Sequence, residues 1–199
     1  MPQLAQFVSD HWLDMFSTGL GLIYLYLEYR AHIALWVVGV VMPAVDIYLY
    51  WSVGLYADCG MAAYYTIAAI YGYAAWKFSP KRKNSGGNAI KHFPAEAVLP
   101  SAAAFSAAWA AIYWILVEFT DSSVPVTDSF VNALSFVALW ALSRKYMEQW
   151  LIWMVVDVAS AALYAYKGIP FKASLYALYA GIAMMGYIKW KRMAESGAE

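Results

Sequence analysis

Charge is what this sequence has least of: only 13% of its 199 residues are charged, and 13 basic side chains cancel 13 acidic ones. A soluble domain keeps about a quarter of its residues charged, and a nucleic-acid binder carries a basic excess, so neither class fits. The single cysteine, Cys59, excludes an internal disulfide. No H-E-x-x-H pair or Cys/His set occurs, and His11, His32 and His92 fall at the ends of apolar runs or between them. Neither a metal centre nor another resident cofactor is therefore expected. The acidic stretch from Met1 to Asp10 lacks the basic start of a cleaved secretory signal.

What the chain does have is apolar surface. Hydrophobic residues make up 63% and aromatics 18%, the composition of a polytopic protein whose solvent is a lipid bilayer. Runs long enough to cross it, about 20 residues each, fall at Trp12 to Tyr29, Ile33 to Trp51, Leu55 to Trp76, Ala97 to Phe119, Asp128 to Leu142, Met147 to Tyr166 and Phe171 to Trp190. The expected fold is an all-α integral membrane protein with seven transmembrane helices. The fifth run is short and carries Asn132 and Ser135. Connections are brief except Lys77 to Glu96, where K-R-K, Gly86-Gly87 and Pro94 mark a solvated linker.

Basic residues orient the bundle. Arg30, Lys77, Lys81, Arg82, Lys83, Lys91, Arg144, Lys145, Lys189, Lys191 and Arg192 share one side under this topology, against Lys167 and Lys172 on the other. Positive charge stays inside, so the N-terminus is expected outside and the C-terminus in the cytoplasm.

A shift of 114 residues lays Asp14 to Lys77 over Asp128 to Lys191 without a gap. It matches Asp14 with Asp128, Arg30 with Arg144, Trp36 with Trp150, Tyr65 with Tyr179, and Gly72, Tyr73 and Trp76 with Gly186, Tyr187 and Trp190. The expected organisation is a three-helix half over 1–77, a cytoplasmic linker and linker helix over 78–119, and a second half with a cytoplasmic tail over 120–199. One helix between two halves restores their orientation. A parallel repeat results, an architecture of transporters that bind substrate near midplane.

The sixth run carries the chemistry. Steps of three and four residues put Trp150, Trp153 and Asp157 on one helix face, and an acid at the centre of a span costs about 2.5–3.5 kcal/mol to insert. Two indoles and a carboxylate suit a flat, cationic organic molecule. Under the 114-residue shift Trp153 faces Gly39, Asp157 faces Pro43 and Ser160 faces Asp46. Pro43 inside the second run removes a helix hydrogen bond and offers a hinge; Asp46 offers a second intramembrane acid.

These residues resemble the PnuC family of vitamin transporters. The likeness rests on G-L-Y-A-D at 54–58, Y-x-x-x-A-x-Y-G-Y-x-x-W ending at Trp76, K-Y-x-E-Q-W-x-x-W-x-x-x-D at 145–157, Y-x-Y-K-G at 164–168 and G-Y-x-K-W-K at 186–191. It covers nearly the whole chain and implies a SWEET-like core of three, one and three helices. It also implies facilitated diffusion of nicotinamide riboside, trapped afterwards by a cytoplasmic kinase, with thiamine the substrate in a subgroup. On this likeness Trp150, Trp153 and Asp157 line the site, with Tyr64, Tyr65 and Asn132 contributing; Trp36, Pro43 and Asp46 complete the candidate set. Ala62 and Leu35-Trp36-Val37 depart from the riboside pattern, and both substrates stay open. Self-association into a homo-oligomer also stays open.

An intramembrane enzyme is the competing class. Asp46 and Asp157 could form an acid dyad, but the usual flanking motifs are absent, so no catalytic residue is assigned. A carrier coupled to protons through the same two acids is the nearer alternative.

Overall fold

The computed structural model describes residues 19–52, 56–78, 90–120 and 122–196, and the statements below concern these. Seven helices run through them: α1 over 19–29, α2 (Ala34–Ser52), α3 (Tyr56–Lys77), α4 (Ala95–Phe119), α5 (Pro125–Ser143), α6 (Gln149–Tyr166) and α7 (Pro170–Ser196). The start of the first expected span, 12–18, lies outside the described residues. α4, α5 and α6 are long and apolar enough to cross a membrane. The fifth helix, short by sequence and carrying Asn132 and Ser135, spans 19 residues.

The helix ends follow from local chemistry. Pro125 and Pro170 stand at the first positions of α5 and α7, where a missing N–H breaks no helix bond. Gly168, at φ +70°, closes α6, and the Ile169 N–H reaches back to the Tyr164 carbonyl at 2.9 Å. A glycine takes that left-handed turn without a Cβ clash. α2 continues through Pro43.

The chain forms two compact units, Met1–Phe78 and Ser79–Glu199. In the first, α2 packs on α3, and Gly39 of α2 lies against Tyr24 of α1 and Ala69 of α3. In the second, α5 packs on α4 and α6, and α6 on α7. α4 buries none of its residues; Trp109 donates its indole N–H to Ser129 Oγ of α5 at 3.1 Å.

The turns α1–α2 and α5–α6 are the same turn. In each, one non-glycine residue is left-handed: Ala31 at φ 49° and Lys145 at φ 58°. In the first, the N–H groups of Ala31, His32, Leu35 and Trp36 donate to the carbonyls of Glu28, Leu27, His32 and Ile33. In the second, those of Lys145, Tyr146, Gln149 and Trp150 donate to Leu142, Ala141, Tyr146 and Met147. Every donor and every acceptor differs by 114 in number.

Among the described residues, the second turn carries an attachment that the first does not. Lys91 forms a parallel bridge with Tyr146: its N–H donates to the Lys145 carbonyl at 2.9 Å and its carbonyl accepts from Met147 N–H at 3.0 Å. Glu148 accepts from the Phe93 N–H at 2.8 Å and pairs with His92 Nδ1 at 3.0 Å. The Phe93 ring meets Trp140 and Tyr146, and Ile90 is buried. The end of the linker, expected to be solvated throughout, is therefore fastened to the second unit. Ala34 holds the position matching Glu148 and has no carboxylate to offer.

Candidate functional site

Trp150 and Trp36 do one packing job twice. Each is 1% exposed. Trp36 meets Trp76 edge-on with ring centroids 5.6 Å apart, and Trp150 meets Trp190 at 5.9 Å. Each ring also covers a glycine: a Cβ on Gly186 would come within 2.6 Å of the Trp150 ring, and one on Gly72 would run into Trp36. The two glycines let α2 approach α3, and α6 approach α7, through the thickness of an indole.

The neighbouring face of α6 differs from its counterpart on α2. The Trp153 indole N–H is enclosed and has no hydrogen-bond partner among the described residues. Asp157, one turn on, is 8% exposed and accepts no hydrogen bond among the described residues. Tyr179 of α7 is close enough to feel its charge. Ser160 continues the buried polar line. On α2 the matching positions hold Gly39, Pro43 and Asp46; Asp46 is half-buried.

A tyrosine cluster leads away from Asp157. Tyr179 meets Tyr176 edge-on at 5.9 Å, Tyr176 stacks on Tyr164 at 5.3 Å, and Lys172 Nζ sits 5.1 Å from the Tyr164 ring. Tyr176 and Tyr179 escaped the sequence reading, although Tyr179 was visible as the repeat mate of Tyr65. Beside the Lys172 end, Lys167 pairs with Asp128 at 3.8 Å.

The remaining candidates sit on other helices. Asn132 of α5 donates its amide to the Asp128 backbone carbonyl at 2.8 Å, which leaves its side-chain oxygen as the acceptor. Tyr64 and Tyr65 of α3 meet edge-on at 5.7 Å. Trp36, Pro43, Asp46, Tyr64 and Tyr65 belong to the first unit, and Asn132, Trp150, Trp153 and Asp157 to the second. A cavity of about 620 Å³ between α4 and α5, lined by Pro94, Ala97, Ala104, Ala133, Phe136 and Trp140 among others, includes none of the candidates. Its walls are mostly apolar, with Glu96 and Arg144 as their charged members, and they offer no acid enclosed as Asp157 is on α6. No cluster of His, Cys, Asp and Glu suited to a metal occurs among the described residues.

Comparison with known proteins agrees with this architecture. The family described as nicotinamide mononucleotide transporter matches residues 11–192. The nicotinamide riboside transporter PnuC of Escherichia coli K12 is 22% identical, over 90% of this chain and 84% of that protein. PnuC of Neisseria mucosa is 22% identical over 95% and 75%. The riboflavin/roseoflavin transporter RibM of Streptomyces davaonensis is 26% identical over 90% and 84%. The crystal structure of the vitamin B3 transporter PnuC shares the fold, with a TM-score of 0.72 at 21% identity over 98% of this chain and 87% of that one. With its family match running from residue 11 to residue 192, the chain belongs to the nicotinamide mononucleotide transporter family and is a multi-pass protein of the bacterial inner membrane.

Proposed function

We propose that this transporter imports a flat, positively charged vitamin, nicotinamide riboside, by facilitated diffusion. The observation that carries the reading is Asp157, a carboxylate nearly enclosed on α6 with no hydrogen bond among the described residues, one turn from the unpartnered indole N–H of Trp153. A buried acid left without a protein partner is expensive, and a cationic ring supplies both the counter-charge and the stacking surface that Trp153 matches. Trp150 backs this face by fixing α6 on α7. Tyr179 and Asn132 add hydrogen-bonding groups, and Tyr64, Tyr65 and Asp46 are the contributors assigned to the first half.

The movement that follows is alternating access. Two three-helix repeats of SWEET-like parallel kind, joined by α4, open the substrate to each side of the membrane in turn, with Pro43 as the hinge. The N-terminus lies outside and the C-terminus in the cytoplasm. There a kinase phosphorylates the vitamin and so prevents its return.

Calorimetric titration of the detergent-purified protein with nicotinamide riboside, thiamine and riboflavin tests the reading. Saturable binding of the riboside, abolished by Asp157→Ala and Trp153→Ala in folded protein, is the expected result. Binding of thiamine alone reassigns the substrate within the same site. Riboflavin binding that survives Asp157→Ala removes the carboxylate from its proposed role, since a neutral ring needs no counter-charge.

A further inference from the structure

Gln149 opens α6 and is completely buried, yet among the described residues neither its side-chain nitrogen nor its side-chain oxygen has a hydrogen-bond partner. Buried amides are ordinarily satisfied. The duplicated turn supplies an internal control. Its counterpart in the first turn is Leu35, also 0% exposed, and the backbone bonds around the two residues correspond one for one. An apolar side chain therefore fills this place in the fold. The indole N–H groups of Trp36 and Trp150 are both enclosed and unpartnered, so that feature belongs to the shared packing. The unpartnered groups of Gln149 and Trp153 have no such explanation, because their mates are Leu35 and Gly39.

Position adds a second reason. Gln149, Trp153 and Asp157 follow one another at intervals of four, down one side of α6. Gln149 and Asp157 are about 12 Å apart along the axis at 1.5 Å per residue, with the Trp153 indole between them. A ring stacked on Trp153 would have its positive charge toward Asp157 and its opposite edge toward Gln149.

We propose that Gln149 is a specificity-determining residue that reads the planar donor–acceptor edge of the substrate ring. A glutamine amide presents one carbonyl and one NH2 group, the mirror of a primary carboxamide. Nicotinamide carries that edge, and the aminopyrimidine of thiamine carries an equivalent one. A carboxylate in its place sets acceptor against acceptor at the glutamine carbonyl. The inference rests on the vitamin-binding reading of α6 and sharpens it.

The test compares wild type with Gln149→Leu, the residue used by the first turn, and with Gln149→Glu. Each purified protein is titrated with nicotinamide riboside, with its carboxylate counterpart nicotinic acid riboside, and with thiamine, and melted without ligand. Gln149→Leu is expected to melt at or above the wild-type temperature, to bind 10- to 100-fold more weakly and to lose the preference for carboxamide over carboxylate. Gln149→Glu should melt lower, as an unpaired buried carboxylate does, and weaken the carboxamide ligand at least as much. The wild-type ligand identifies the edge: riboside binding assigns a carboxamide, thiamine binding an aminopyrimidine. If Gln149→Leu binds with unchanged affinity and preference, or melts lower while preference persists, the role is overturned and the glutamine is structural. If wild type binds none of the three, the vitamin reading fails and this inference with it.

Discussion

At Gly72 and Gly186 a single hydrogen atom decides whether two helices fit. A methyl group at either site meets an indole ring head-on, and overpacking of that kind costs about 1–3 kcal/mol. Gly72→Ala and Gly186→Ala should each lower the melting temperature of the purified protein. Trp150 and Trp153 should separate in the same assay. Trp150→Ala empties a fully packed site, at a cost of about 3–5 kcal/mol, and should unfold at much lower temperature. Trp153→Ala should change melting little and remove binding. Periodicity alone placed Trp150, Trp153 and Asp157 on a common arc; it could not tell which end of the arc meets α7, because steps of three and four leave that rotation free. The glycine opposite Trp150 held the answer in the sequence, through the match of Gly72 with Gly186. Gln149 was legible only as part of a motif, since burial without a partner is a property of the packed state.

Two elements meet at the α5–α6 turn, and both can be tested there. Glu148 holds the start of the segment leading into α4 by accepting from the Phe93 N–H and pairing with His92. Glu148→Ala should speed hydrogen exchange at residues 90–94 and leave the α6–α7 contact protected, as mass spectrometry of proteolytic fragments would report. By sequence this whole stretch reads as a solvated linker, because a bridge between positions 55 residues apart leaves no local periodicity. Helix existence, by contrast, was legible throughout, since each run is continuous and ends at Pro, Gly or charge. Lys145, in the same turn, is 6% exposed, and burial lowers its ammonium from 10.5 to about 8. Between those values the unfolded chain binds the extra proton, so this group makes stability rise with pH across that window and contributes no slope below it. Melting temperature should climb from about pH 8 toward 10.5, and Lys145→Met should flatten the climb.

On the scale of the whole molecule, facilitated diffusion predicts that vesicles containing the protein fill with substrate only to the outside concentration. An imposed pH gradient should leave that level unchanged; accumulation driven by the gradient would instead make Asp46 and Asp157 candidates for proton carriage. The lengths of the neighbouring spans bear on the membrane itself. α4 has 25 residues, α5 has 19 and α6 has 18. At 1.5 Å per residue α4 is about 37 Å long and its neighbours about 28 Å, against a hydrocarbon layer of about 30 Å. α5 and α6 match that thickness, and α4 exceeds it by more than a turn. The excess fits the end at Glu96 and Pro100, where a carboxylate favours the headgroup layer. A thicker bilayer would draw this turn into hydrocarbon or force α4 upright. Because α4 buries none of its own residues, its tilt answers to lipid thickness more directly than that of any helix held on both sides.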